Sequence, residues 1–200
     1  MITRIKNTFS TFFRLFNLKN RQKVLWSDLK KYFVNSDLHY GIFESERYIE
    51  AKYSIDDTHS EFRVYRYFFD KETLNFVSLV FIHQDYDQDK TTDVFILSSH
   101  FNNLLKYGVV RVNPDTCTIM MEYTNSELLP FLFPGEIHSQ ILAHYNVSLD
   151  LIWAFNQLLI EDQDPVFIIA DLQKKHDERR EKVLPSNPPK NQENNTGSDS

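Results

Sequence analysis

Apolar side chains recur at three- and four-residue steps in three stretches of the chain, the spacing that places them on one side of a helix. The first stretch covers residues 26–37, and Ser27 suits its N-cap. The second covers residues 94–105. The third begins near Pro134, whose fixed φ suits a first helical turn, and continues to about residue 161. We expect each helix to pack its apolar side against a sheet.

Between the first two predicted helices, the helical spacing gives way to alternation and to segments dense in aromatic and β-branched residues. This pattern predicts three strands, at residues 48–55, 61–70 and 74–83. The links between them are short and polar, so each strand is expected to pair with the next in antiparallel fashion. A hairpin follows the second helix, with strands at residues 109–112 and 117–124 and a turn at Asn113-Pro114-Asp115-Thr116.

These elements predict one α+β domain whose antiparallel sheet has about five strands, in the order α-β-β-β-α-β-β-α. The 200 residues, 42% of them hydrophobic, suffice for one core of this size. We divide the chain into a basic amphipathic arm at residues 1–25 (the arm), a domain at residues 26–170 and a polar tail at residues 171–200. The tail is rich in Pro, Asn and Ser from residue 185 onward and is expected to be disordered.

The arm mixes aromatic and basic residues at helical spacing, which predicts a helix with an aromatic side and a cationic rim. Its apolar run is too interrupted for a membrane span. Three interpretations stay open: interfacial binding to an anionic membrane or to a partner, packing on the domain or on a second copy, and a transit peptide. The candidate membrane-binding residues are Arg4, Lys6, Phe9, Phe12, Phe13, Arg14 and Phe16.

An apolar link, Leu128-Leu129-Pro130-Phe131-Leu132-Phe133, precedes the third predicted helix. Its prolines discourage a regular internal strand. The link is therefore either tucked under the helix or exposed for a partner. If it is exposed, the candidate partner-binding residues are Leu129, Phe131, Leu132 and Phe133. In that case Phe131→Asp or Phe133→Asp is expected to weaken partner binding with little loss of stability.

Charge is divided unevenly along the chain, whose net charge is −6. Residues 1–25 carry six basic residues and no acidic one, and residues 171–200 carry six of each. Subtracting these from the totals of 22 basic and 28 acidic residues leaves 10 basic and 22 acidic residues in the domain, a balance of −12. Because phosphate contacts need clustered Lys and Arg, we expect no nucleic-acid partner.

No motif in the sequence predicts catalysis or a cofactor. Four glycines are too few and too scattered for a phosphate-binding loop, and the seven histidines lack metal-ligand spacing. The acidic segment at residues 85–93 has Lys90 where a calcium loop needs glycine, and Ile96 where it needs glutamate. The single cysteine, Cys117, excludes a disulfide framework, and we expect a buried small hydrophobe in a reducing compartment. We therefore expect no enzyme, no metal and no cofactor.

The segment Asn102-Asn103-Leu104-Leu105-Lys106-Tyr107-Gly108-Val109-Val110-Arg111-Val112 runs from the second predicted helix into a strand. Together with the order of the elements, it resembles the YbjN-like branch of the type III secretion chaperone-like fold, a bacterial family. The resemblance covers residues 26–165. It implies an α+β protein-binding domain, often dimeric, that acts in secretion chaperoning or regulation, and it carries over no catalytic motif.

Two functions follow as expectations. The first is a cytoplasmic protein-binding domain, chaperone-like or regulatory, that presents a sheet face or the apolar link to another protein or to a second copy of itself. The second is a peripheral adaptor, in which the arm attaches the acidic domain to the anionic inner face of a membrane.

Overall fold

The computed structural model describes residues 10–55 and 61–183, with side chains through residue 178. Residues 10–15 are helical. The strands are β1 (His39–Phe43), β2 (Tyr48–Ser54), β3 (Phe62–Phe69), β4 (Phe76–His83), β5 (Gly108–Asn113) and β6 (Thr118–Asn125). The α-helices after residues 10–15 are α1 (Arg21–Val34), α2 (Thr91–Leu104), α3 (Leu128–Leu132), α4 (Glu136–Leu159) and α5 (Pro165–Val183).

The strands form one antiparallel sheet in the order β1-β2-β3-β4-β6-β5. This confirms the α+β class and the pairing of the three predicted central strands. The sheet has six strands rather than about five, because β1 adds an edge whose residues pair from His39 with Lys52 to Phe43 with Tyr48. A five-residue edge strand containing Gly41 is too short to give a clear alternation in sequence.

Two helical regions differ from the sequence prediction. Helix α1 begins at Arg21, so Ser27 lies within the helix and does not cap it. Helix α5 extends to Val183, so residues 171–183 are helical although the polar composition predicts disorder there. Buried Ile168 and Leu172 attach α5 to the core, but the charged residues around them, which are good helix formers, hide that apolar pattern in the sequence. Residues 184–200 lie outside the described part of the chain.

The core lies between the helices and one face of the sheet, here named the covered face. It draws on all five helices but only on alternate strand positions, as the two-residue period of a strand requires. Its largest fully buried side chains from the sheet are Ile49, Tyr65, Tyr67, Phe76, Ile82 and Ile119. Rings of neighbouring strands stack there, with 6.3 Å between the centroids of Tyr67 and Phe76. Each such ring contributes about 1.5–3 kcal/mol by its removal from water.

The junction between α2 and β5 explains the asparagine and the glycine in its sequence. The side-chain amide of Asn102 donates to the carbonyl of Val110 at 3.0 Å, and the Val110 amide donates back to Asn102 Oδ1 at 2.6 Å. At Gly108 a Cβ would lie 3.2 Å from the Glu122 carbonyl oxygen, and its φ is not positive. This glycine therefore serves close strand approach rather than a left-handed helix stop.

Candidate interaction surfaces

A layer of polar side chains is buried between α4 and the covered face. Ser78 Oγ lies 2.5 Å from His144 Nδ1, and the Tyr65 hydroxyl lies 2.5 Å from Ser148 Oγ. Ser148 in turn donates to the carbonyl of Tyr145 at 2.7 Å. Helix α4 thus contributes polar residues within its apolar stripe, which the sequence analysis missed because it followed the apolar spacing alone.

The Ser78 and His144 pair has the atoms of a nucleophile and its base but lacks access for a substrate. Both side chains are fully buried. Burial lowers the pKa of His144 to about 3, and an interaction with the Met121 backbone only partly opposes that shift, so the imidazole is neutral at pH 7. Burial likewise raises the pKa of Tyr65 to about 12. The pair supports the packing of α4 on the sheet, and its geometry offers no reaction.

The acidic loop and the cysteine make ordinary local contacts. The carboxylate of Asp87 accepts a hydrogen bond from the Asp89 amide at 3.1 Å, and Lys90 pairs with Asp162. Within residues 10–55 and 61–183, no group of three His, Cys, Asp or Glu side chains could hold a metal ion. Cys117 lies in the turn before β6 with a φ of 47° and is half-buried against the core, so the expectation of a buried small hydrophobe holds only in part.

The second face of the sheet, here named the open face, is rich in large apolar side chains. None of them belongs to the core cluster that contains residues of all five helices. Phe81 on the central strand β4 is 41% exposed, and Val77 on the same face is buried but lies outside the core cluster. By the alternation of the strands, the large apolar residues of this face are Phe43, Tyr48, Phe62, Val64, Phe68, Val77, Leu79, Phe81, Val109 and Met120.

A row of paired charges crosses the open face between these apolar residues. Arg66 Nη2 lies 2.7 Å from Glu50 Oε1, and Arg111 Nε lies 2.7 Å from Glu122 Oε2. In both pairs the arginine side chain is more exposed than the glutamate. The Arg66 guanidinium also lies 4.6 Å from the ring centroid of Tyr48. The acidic groups are thus neutralised within the sheet, and the cationic groups are the outermost charges.

Three shallow depressions mark the open face. One of about 390 Å³ is bordered by Phe62, Val64, Phe81 and His83. A second, of about 440 Å³, extends from Val64 to Lys52 and β1, and a third, of about 450 Å³, lies beside Arg66 and Leu79. Their adjacency makes the open face uneven enough to receive protruding side chains of another molecule.

The arm and α3 form a second surface, and two arginines join them. Arg14 Nη2 lies 2.6 Å from Asp28 Oδ2, and Arg14 Nε donates to the carbonyl of Phe131. Arg21 Nη1 lies 3.0 Å from Glu127 Oε1, immediately before α3. Arg14, predicted on an exposed cationic rim, is therefore mostly buried and attaches the arm to the domain. Arg4, Lys6 and Phe9 lie outside the described residues.

The structure divides the predicted partner-binding residues of the apolar link. Phe131 is fully buried, so its prediction as a surface residue is wrong and Phe131→Asp is expected to unfold the domain rather than weaken a contact. Leu132 is half-buried against the core. Leu129 and Phe133 are exposed. Residues 128–132 of the link form a short helix, and Pro130 and Phe131 are buried because α3 packs on α1 and α4. The sequence does not reveal this tertiary effect.

The sequence predicts the two surfaces in different detail. The structure brings the arm and the link together, although the sequence treats them as separate candidates. The structure also identifies the residues of the sheet face, which the sequence predicted as a binding surface without naming them. The available signal was the presence of large apolar residues on both alternations of one strand, as in β3, where Phe62, Val64 and Phe68 alternate with Tyr65, Tyr67 and Phe69.

Comparisons with known proteins add no family. No family model, no curated protein and no solved structure matches the chain. Within the described ranges, no helix is both long enough and apolar enough to cross a membrane.

Proposed function

We propose that this protein is a non-catalytic, protein-binding domain that receives a partner protein on its open face. The observation that carries the proposal is the set of large apolar side chains on that face, outside the described core. An antiparallel sheet with one solvated face ordinarily places polar residues there. Here Phe62, Val64 and Phe81 are exposed instead. A chaperone-like or regulatory role in the cytoplasm is consistent with such binding.

The size of the open face suits a protein partner better than a small molecule. Six strands about 4.8 Å apart and roughly 20 Å long make a flat area of about 500 Å². Protruding rings raise the accessible area above that value, toward the roughly 800 Å² that each side of a stable complex contributes. The depressions on the face are shallow and adjoining rather than enclosed, unlike a small-molecule site.

Charge specifies the chemistry of the partner. Arg66 and Arg111 are the more exposed groups of their ion pairs, and Lys52 is exposed on the same face. A partner surface with carboxylates set among its apolar residues would pair with these cations while burying the rings. The remainder of the domain is strongly acidic, so an acidic partner is attracted to this face and repelled by the rest of the domain.

The test compares Phe81→Asp with a matched control, Phe167→Asp. Phe167 lies on α5 and is 65% exposed, so both changes add a carboxylate at an exposed phenylalanine. The tagged full chain is used to capture proteins from an extract of its own cells, and its mass in solution is measured. We expect a protein that the wild type and Phe167→Asp retain and that Phe81→Asp loses.

Two other outcomes of this test would change the proposal or contradict it. A dimer mass for the wild type and Phe167→Asp that becomes a monomer mass in Phe81→Asp would assign the open face to a second copy. The same captured proteins and the same mass for all three chains would contradict the proposal. A thermal melt of each variant shows that the fold is intact, because exposed positions cost little stability.

A further inference from the structure

Three phenylalanines of the arm, here named the aromatic cluster, project into solvent: Phe12 is 55% exposed, Phe13 is 64% exposed and Phe16 is 72% exposed. They contact one another edge to face, with ring centroids 5.0 Å apart for Phe12 and Phe16. Leu15 and Leu18 beside them are exposed as well. The aromatic cluster therefore does not pack on the domain, although Arg14 between its rings does.

The arm is fixed to the domain through its polar side. Arg14 lies between Asp28 and Phe131, with its guanidinium 5.2 Å from the Phe131 ring centroid. Arg21 pairs with Glu127 a short distance along the chain. These contacts bind the arginines inward, so the phenylalanines point away from the domain. Because the arginines fix the arm to the domain, the rings of the aromatic cluster project in one direction.

The charge of the arm differs from that of the domain. Residues 1–25 hold six basic residues and no acid, whereas residues 26–170 have a balance of −12. Arg14 and Arg21 are paired with domain acids, and Lys19 and Lys23 are exposed within the arm. An anionic surface would attract the arm and repel the rest of the molecule, which orients the aromatic cluster toward that surface.

We infer that the arm is an interfacial anchor for an anionic lipid surface. Phe12, Phe13 and Phe16 enter the boundary between headgroups and acyl chains, while Lys19 and Lys23 lie against lipid phosphates. Aromatic rings beside cationic side chains are the composition of interfacial helices. The rings of the cluster project into solvent, and a soft bilayer accepts projecting rings without a matching groove.

The exposed part of α3 adds apolar area next to the arm. Leu128, Leu129 and Phe133 are exposed on or beside the helix to which Arg14 and Arg21 attach. In this arrangement they lie at the rim of the inserted region. The anchor is independent of the open face proposed for protein binding, because no residue is shared between the two surfaces.

The test is co-sedimentation of the full chain with vesicles of phosphatidylcholine alone or with about 30% phosphatidylserine. We expect binding to the anionic vesicles only. Phe12→Ser, Phe13→Ser and Phe16→Ser combined are expected to weaken it about ten-fold or more. The matched control combines Ile160→Ser, Val166→Ser and Phe167→Ser, whose side chains are equally exposed elsewhere. It is expected to bind like the wild type.

The electrostatic part of the anchor has its own matched pair. Lys19→Glu with Lys23→Glu is expected to weaken binding by more than about 25-fold, about five-fold or more for each lysine. Lys106→Glu with Lys174→Glu changes the net charge equally at exposed sites outside the arm. This control pair is expected to weaken vesicle binding less than Lys19→Glu with Lys23→Glu does. Phe81→Asp, which leaves the aromatic cluster in place, is expected not to lose vesicle binding.

Two results would overturn the inference. One is binding by the variant without the aromatic cluster that equals that of the wild type. The other is absence of wild-type binding to both kinds of vesicle, which would leave the arm as a surface for a protein. Neither result bears on the open face, so failure of the anchor and failure of the proposed function are distinguishable.

Discussion

The two faces of the sheet carry similar apolar side chains, but the described helices cover only one of them. On the covered face, Tyr65, Tyr67 and Phe76 are buried under helices, and polar groups such as Ser78 and His144 bond to one another. On the open face, the charges pair laterally within the sheet and leave rings such as Phe81 uncovered. Strands with apolar residues on both faces are typical of sheets that are covered on both sides. We propose that a partner protein supplies the cover that the described residues leave off the open face.

The largest effect that separates the two faces is expected from Phe76→Ala. Phe76 lies on the covered side of β4 and is fully buried. Its truncation removes the transfer free energy of the ring and leaves a cavity, so we expect a loss of about 3–5 kcal/mol in the free energy of unfolding. Urea denaturation measures this loss.

Phe81→Ala provides the matched change on the same strand. Phe81 is on the open face, so its truncation leaves no enclosed cavity, and we expect a loss below about 1 kcal/mol. Equal losses at the two positions would contradict the assignment of one covered and one open face, because they would mean that Phe81 is packed as tightly as Phe76.

An effect between those of Phe76→Ala and Phe81→Ala is expected from pH, through His144 on the covered side. Burial lowers the pKa of His144 to about 3, whereas its ordinary value is near 6.5. Below about pH 6.5 the unfolded chain therefore binds a proton at this residue and the folded chain does not. Stability is therefore complete above about pH 6.5 and is lost as pH falls toward 3. Between about pH 7.5 and about pH 5 we expect a loss of about 2 kcal/mol in the free energy of unfolding.

The variant His144→Gln isolates this titration. Burial also lowers the pKa of His83 and of His100, and both remain in the variant. Only the difference between wild type and variant therefore reports on His144. We expect the wild type to lose about 2 kcal/mol more than the variant over the same pH interval. The same pH dependence in both chains would show that the imidazole is not held neutral by the fold.

The fold could be predicted from local periodicity where that periodicity is unambiguous. The three central strands, helix α2 and helix α4 follow apolar spacing because each buries one side in a single core. Periodicity failed at β1, which is short, and at α5, where two buried residues attach an otherwise charged helix. Such elements are fixed by tertiary contacts, which local spacing does not encode.

The interaction surfaces could be predicted only in part for a related reason. Apolar composition marks the arm and the link at residues 128–133 as candidates, but it does not tell an inward ring from an outward one. Phe131 is buried within α3, whereas Phe133, the first residue after that helix, is exposed. Arg14 looked like a rim cation because the sequence does not show that Asp28 and the Phe131 carbonyl lie beside it.

The central claim is that the open face is covered by another protein, and position 81 tests it most directly. A photo-cross-linking phenylalanine analogue is placed there in the full chain, and at position 167 as the control, in cells of the protein's own source. We expect cross-linked protein adducts at position 81 and none of those adducts at position 167. The account is contradicted if position 81 gives no adduct, or if both positions give the same adducts in similar yield.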